Sequence, residues 1–250
     1  MLTEQRQEEI LTLVNSRGSI TVAELVSALG ISESTARRDI TTLDRLGKLE
    51  KVFGGAISLR EMKIITSEPT VAQKLDLYKD EKQAIAAYAA TLISPEDFIY
   101  LDAGTSTLAL AECLPKDLDI TIVTNGVAHA QLLASSGMHV ILIGGELKST
   151  TEAVIGGTAI LMLQNYHFTK GFFGTNGISR QAGFTTPDAN EAMTKKTALN
   201  RCRYAYILSD SSKFDVITSV SFASLGKAKI ITERIPEAYK NLGDACITVL

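Results

Sequence analysis

The chain has little cysteine: Cys113, Cys202 and Cys246 are the only three in 250 residues. An odd number, far apart and in no C-x-x-C pair, speaks against a disulfide framework or a zinc site and for reduced thiols. Long apolar runs are missing too. No stretch approaches the ~20 residues that cross a bilayer, and the opening Met-Leu-Thr-Glu-Gln-Arg holds no apolar secretory segment. The expectation is a cytoplasmic chain with no membrane segment. Neither a G-x-G-x-x-G run nor a phosphate-loop Gly-Lys-Ser/Thr occurs, so no dinucleotide or ATP site is inferred, and no cofactor or metal is expected. The three histidines, His129, His139 and His167, fall outside the polar clusters described below and read as solvated or internally satisfied residues.

What is present suits two domains: 45% hydrophobic and 21% charged residues supply an ordinary core. The net charge of −3 hides a local reversal. From Ser32 to Arg60, six basic residues face four acidic ones, a balance of +2 in an acidic chain. Phosphate contact needs such a basic face, not a basic protein.

Residues 1–58 read as three helices and a hairpin. Thr3 is placed to cap a helix carrying Ile10, Leu13 and Val14, which Gly18 stops. Thr21-Val-Ala-Glu24 has the spacing of a capping box, opening a helix that buries Val22, Leu25 and Leu29 and ends at Gly30. After a short turn, Ser32 caps a third helix. Ala36, Ile40, Leu43 and Leu46 or Gly47 share its packed face, while Ser34, Arg37, Arg38, Thr41 and Arg45 lie largely on the other. Gly54-Gly55, between Leu49–Phe53 and Ala56–Leu59, gives a tight hairpin. The order is that of a winged helix-turn-helix, whose second motif helix enters the major groove of double-stranded DNA by its N-terminal end. The expected DNA-binding residues are Ser34, Thr35, Arg37, Arg38, Thr41 and Lys51; the two arginines can reach guanine or phosphate.

This module resembles the DeoR family of bacterial repressors. The resemblance rests on Arg6, Ile10, Gly18, Val22, Glu24-Leu25, Ile31-Ser32, Thr35, Arg37-Arg38-Asp39-Ile40, Leu43 and Gly54-Gly55-Ala56. Phe53 stands where that family commonly has histidine.

Residues 59–79 are weakly periodic and read as a linker. From Asp80 to the end, short apolar strands alternate with helices, the pattern of an open, mainly parallel α/β sheet domain. Six strands are expected, around Asp97–Leu101, Ile120–Val123, Val140–Ile143, Gly171–Phe173, Tyr204–Leu208 and Lys229–Ile231. The first five run into small or polar clusters: Asp102–Thr107, Thr124–Gly126, Gly144–Glu146, Gly174–Gly177 and Ser209–Lys213. Ligands of open α/β sheets bind outside those carboxyl ends. Gly104, Thr105, Ser106 and Thr107 open a helix and suit a phosphate, with Lys213 adding charge. Asp102, Thr124, Asn125, Glu146, Asn176 and Asp210 offer partners for hydroxyls. The site reads as one for a small phosphorylated polyol or sugar.

The resemblance extends here. DeoR effector domains are similar in fold to ribose-5-phosphate isomerase and glucosamine-6-phosphate deaminase. Their motifs correspond to Asp102–Ser106, Thr124-Asn125, Gly144-Gly145 and Asp210–Phe214. Thr151–Gly156 and Gly183–Ala192 with Lys195 resemble the branch that represses fructose operons, which implies fructose 1-phosphate as the effector. By their chemistry Asp188, Glu191 and Lys195 suit the pocket rim, or else belong to an ordinary capped helix start. The expectation is a repressor, a homo-oligomer on repeated operator half-sites and not an enzyme. The alternative is a sugar-phosphate isomerase or deaminase with an accessory head, using Asp102, Glu146 or Asp210 as base.

Overall fold

The computed structural model describes residues 2–58, 63–66 and 69–249. The chain forms two compact units, Met1–Met62 with Glu237–Asn241, and Lys63–Pro236 with Leu242–Leu250.

The first unit runs α1 (Thr3–Arg17), β1 (Ser19–Thr21), α2 (Val22–Leu29), α3 (Glu33–Arg45), β2 (Leu49–Val52) and β3 (Gly55–Ser58). Thr3 is the first helical residue, not the cap; Leu2 holds that position with no side-chain bond. The other local signals hold. Thr21 Oγ1 accepts from the Glu24 amide at 3.2 Å while Glu24 Oε2 accepts from the Thr21 amide at 2.8 Å. Gly30 is left-handed at the end of α2, and Ser32 Oγ accepts from the Thr35 amide at 3.2 Å to start α3. Ile10 and Val14, Val22 and Leu25, and Ala36, Ile40 and Leu43 make one buried core. Leu46 leaves it, 59% exposed, because α3 ends at Arg45. Gly55 is required by close approach: a Cβ there would stand 2.2 Å from the carbonyl oxygen of Ile20 on the adjoining strand. Leu59 and Arg60, part of the expected hairpin and basic face, lie outside the described residues.

A polar pair also sits in this core. Asp39, only 2% exposed, accepts from Arg6 Nε at 2.6 Å and Nη2 at 3.3 Å, and from Gln7 Nε2 at 3.4 Å. The pair pins α1 to α3.

The second unit begins with β4 (Lys63–Ile65), α4 (Val71–Leu75) and α5 (Lys79–Thr91). Then come β5 (Phe98–Leu101), α6 (Thr105–Cys113), β6 (Thr121–Thr124), α7 (Val127–Ser135) and β7 (His139–Leu142). Next are β8 (Glu146–Lys148), β9 (Ala153–Ile155), α8 (Gly157–Leu163) and β10 (Phe168–Gly174). β11 (Gly177–Ser179), β12 (Gly183–Thr186), α9 (Ala189–Leu199) and β13 (Cys202–Leu208) follow, then β14 (Val216–Thr218), β15 (Val220–Ala223), β16 (Lys229–Thr232) and β17 (Cys246–Thr248). The main sheet has the order β17-β16-β13-β10-β5-β6-β7, every pair parallel. Ile99, Leu101, Ile122, Phe172, Leu208 and Ile231 of its strands are buried with Ile85, Leu110 and Leu133 of the helices.

The five strands that end in polar clusters are consecutive neighbours in that sheet, so their carboxyl ends form one row. Beyond the six expected strands lie β17, a β8–β9 hairpin and an antiparallel β11-β12-β15 sheet, mostly three- or four-residue strands too short to leave a periodic signature. The expected linker 59–79 is not a plain spacer. β4 pairs in parallel with β14, and α4 carries a capping box between Thr70 and Gln73. Residues 59–62 and 67–68 of that stretch are not among the described ones.

His129 supports the row from below. It is buried; its Nε2 lies 3.1 Å from Thr107 Oγ1, and its ring donates to the backbone of Gly104. Gly126 makes room, since a Cβ there would stand 2.4 Å from His129 Nδ1. Burial, above all, lowers the imidazole pKa from 6.5 to about 4. The unfolded chain therefore takes up this proton near pH 6.5, where the folded chain refuses it. The stabilisation is complete above pH 6.5 and fades as pH falls toward 4, by about 3 kcal/mol at most. Urea unfolding followed from pH 7.5 to 4.5 should show this loss in the second unit, and His129→Gln should flatten it. For the first unit, Asp39→Ala should lower the melting temperature, and Arg6→Ala added to it should lower it little further, because both remove one interaction.

Candidate functional site

The exposed face of α3 carries the expected DNA-reading residues. Arg37 and Arg38 both reach solvent, but their states differ. Arg37 is tied one turn back to Glu33, with Nη2 at 2.6 Å from Oε1, an exposed pair of little strength. Arg38 makes no ion pair among the described residues. Ser34 is exposed beside the Ser32 cap at 2.9 Å, and Thr35 Oγ1 lies 2.8 Å from the same hydroxyl. Thr41 donates to the Arg37 carbonyl and accepts from Lys51 Nζ at 3.0 Å. Lys51, on β2, thus reaches back onto α3, while its amide donates to Asp44 Oδ1 at 2.9 Å. Hairpin and helix form one surface, with Phe53 fully exposed at the tip.

In the second unit, three of the five strand-end clusters open into one cavity. Ala103, Gly104, Thr105 and Ser106 follow β5, Gly174, Thr175 and Asn176 follow β10, and Asp210 and Lys213 follow β13. Gly104, at the N-cap of α6, offers no side chain, and no side-chain bond caps this helix. Its first amides and the positive end of its dipole are left for an anion. Glu191 and Lys195 of α9 line the wall with Thr151 and Thr218. Both expected residues of α9 are thus part of the cavity, and both are buried.

Asp102 lies beneath this wall, 1% exposed. Its Oδ2 accepts from the Gly174 amide at 3.0 Å and from Lys195 Nζ, while Oδ1 is buried with no partner. Burial raises its pKa, and Lys195 and the Gly174 amide oppose that rise. Glu191 Oε1 accepts from Thr151 Oγ1 at 2.5 Å and from Lys148 Nζ at 3.2 Å. The two stretches resembling the fructose branch, 151–156 and 183–192, therefore meet at this carboxylate.

Other expected effector contacts do not reach the cavity. Thr107 donates inward to the Asp102 carbonyl at 2.6 Å. Thr124 donates to the Leu101 carbonyl at 2.6 Å and accepts from the Gly126 amide at 3.0 Å. Asn125 accepts from the Ala103 amide at 2.8 Å and donates to the Val154 carbonyl at 3.2 Å. These three shape the loops that present Gly104–Ser106. Gly144 and Gly145 sit at the far end of the row; a Cβ on Gly145 would lie 2.6 Å from the Ile155 carbonyl oxygen, so its role is packing against β9. Asp188 is the cap of α9, accepting from the Glu191 amide at 2.9 Å, and pairs with Lys148 at 3.6 Å.

Sequence reading missed Lys74, Tyr78 and Lys82, which also line the cavity. Lys82 is 6% exposed, and its ammonium donates to the Lys74 carbonyl. Burial lowers its pKa, with Lys213 and Lys74 adding to the effect and Asp210 opposing it. The cysteines take no part in the cavity; burial pushes Cys202 up to about 12 and Cys246 up to about 11. Among the described residues no helix is long and apolar enough to cross a membrane.

Comparison with known proteins covers both units. A DeoR-like helix-turn-helix domain matches residues 6–62, and a DeoR C terminal sensor domain matches residues 77–234. The uncharacterized HTH-type transcriptional regulator FruR of Bacillus subtilis (strain 168) is 41% identical over 93% of this chain and 91% of its own. The lactose phosphotransferase system repressor of Streptococcus mutans is 37% identical over 91% and 90%. Among solved structures, ribose 5-phosphate isomerase A of Methanocaldococcus jannaschii aligns with a TM-score of 0.42 and 14% identity over 55% of each chain. A winged head matched by one DeoR domain, a pocketed α/β body matched by the other, and relatives named as regulators make this chain a member of the DeoR family, a transcriptional regulator rather than an enzyme.

Proposed function

We propose that the chain is a cytoplasmic repressor of a sugar-utilisation operon, that for fructose, and that fructose 1-phosphate releases it from operator DNA. The cavity at the strand ends carries this reading. It combines an uncapped helix N-terminus with lysines, which suits a phosphate, and a wall of Thr151, Asn176, Glu191 and Thr218, which suits sugar hydroxyls. The names of two relatives, FruR and a lactose phosphotransferase system repressor, point the same way. Homo-oligomers would set two α3 helices on repeated half-sites.

On the DNA side, Arg38 is the first residue to test, since it needs no partner released before reaching a base or phosphate. Arg38→Ala should weaken operator binding by about 1–3 kcal/mol at fixed salt. On the effector side, Lys213→Ala should raise the fructose 1-phosphate concentration needed for half-release by about tenfold, the loss of one charge-assisted contact. The reading as a whole is tested by anisotropy of labelled DNA from upstream of the protein's own gene cluster. Fructose 1-phosphate, fructose 6-phosphate and unphosphorylated fructose are titrated in turn. Release by fructose 1-phosphate alone supports the proposal. Specific binding that no sugar phosphate alters removes the effector, and absence of specific binding removes the operator.

A further inference from the structure

The lysines around the cavity are not equivalent. Lys195 is neutralised by Asp102, and Lys213 Nζ stands 3.8 Å from Asp210. Lys82 is buried, and among the described residues no carboxylate comes within 4 Å of its ammonium. Burial of an ammonium with no carboxylate in direct contact is costly; Asp210 and Asp76 attract it from farther off, while Lys213 and Lys74, which line the same cavity, repel it. A cavity that gathers these ammoniums on one side suits an anion. The uncapped amides of α6 present the same demand.

We propose that Lys74 and Lys82 form the second half of the phosphate site, so that the effector's phosphate is held between the Gly104–Ser106 amides and Lys82, Lys74 and Lys213. The proposal rests on the phosphate-pocket reading above and adds which segment senses the phosphate. That segment is special in the chain. It follows β4, the first described element after the winged head, so the chain leaving the DNA reader becomes a wall of the effector site.

This wall is lightly held. α4 buries none of its residues, and its Val71 amide donates to the Thr150 carbonyl at 3.2 Å. Tyr78 begins α5 with φ +54, a left-handed conformation costly for a side chain of this size, and its ring centre lies 5.7 Å from Lys213 Nζ. Few buried contacts mean that local opening costs little. A phosphate dianion drawn between the two walls removes the repulsion among the lysines and fastens α4 and the start of α5. The sugar phosphate is thus felt by the stretch of chain continuous with the head.

The test uses the full chain with fructose 1-phosphate and inorganic phosphate as probes. Amide hydrogen exchange should slow over residues 71–80 together with residues 104–108 when fructose 1-phosphate is added, and more weakly with inorganic phosphate. Lys82→Gln should weaken fructose 1-phosphate binding by about tenfold or more, and Lys82→Arg should recover part of the loss. The exchange arm needs no variant, so it decides the matter even if Lys82→Gln folds poorly. Protection of residues 104–108 with none over 71–80, and a Lys82→Gln chain that binds as the unmodified one does, would overturn this proposal and leave the phosphate pocket standing. No response of either segment to either probe would overturn the pocket and this proposal together.

Discussion

Asp102 holds the effector unit's binding end together. It closes β5, and its Oδ2 receives the amide of Gly174 at the end of β10 and the ammonium of Lys195 on α9. Its carbonyl receives the Thr107 hydroxyl at 2.6 Å, which shapes the first turn of α6. One buried carboxylate therefore ties together the loop, the strand and the helix that surround the cavity. Burying a charge is tolerable only when it is paired and hydrogen-bonded. Here that demand fixes where Lys195 must go, and with it one wall of the pocket.

The winged head follows the same logic on a smaller scale. Most of its core is aliphatic, which sets which faces pack but not how α1 is rotated against α3. Arg6 and Asp39 supply that register through two hydrogen bonds, at 2.6 and 3.3 Å. The run Arg37-Arg38-Asp39 is thereby divided: the aspartate faces inward to α1, and the two arginines face outward on α3. A buried partner is what keeps the neighbouring cations on the solvent side.

Much of this was legible in the residues. Capping and turn chemistry is local, so Thr21–Glu24, Gly30, Ser32 and Gly55 could be placed without a structure. The parallel sheet followed from its apolar strands, and the row of strand ends followed from the sheet. Tertiary roles were not legible. Thr124 and Asn125 looked like ligand groups because polar residues at strand ends are ambiguous; which ones turn inward to brace a loop depends on neighbours tens of residues away. Asp188 carried the same ambiguity and proved to be a helix cap. Lys82 was missed for the opposite reason, since nothing local distinguishes a lysine that folds under a preceding helix from one in water. The short strands β4 and β14 left no periodicity, so the stretch 59–79 read as a spacer although part of it is built into the sheet system. His129 read correctly as a satisfied residue, but its place under Gly104 gives it a positioning role that the sequence did not show.

The central claim is that one phosphorylated sugar and one operator compete through this chain for two states. Linkage makes that claim reciprocal: if the sugar phosphate weakens DNA binding by some factor, DNA must weaken sugar-phosphate binding by the same factor, and about 5- to 150-fold is typical. The direct measurement is the fructose 1-phosphate affinity of the free chain and of the operator-bound chain, by calorimetry at one salt concentration. The account predicts weaker binding to the operator complex, by the factor that the DNA titration gives independently. Equal affinity for the two forms would contradict it, because a ligand that does not distinguish two states cannot move the balance between them.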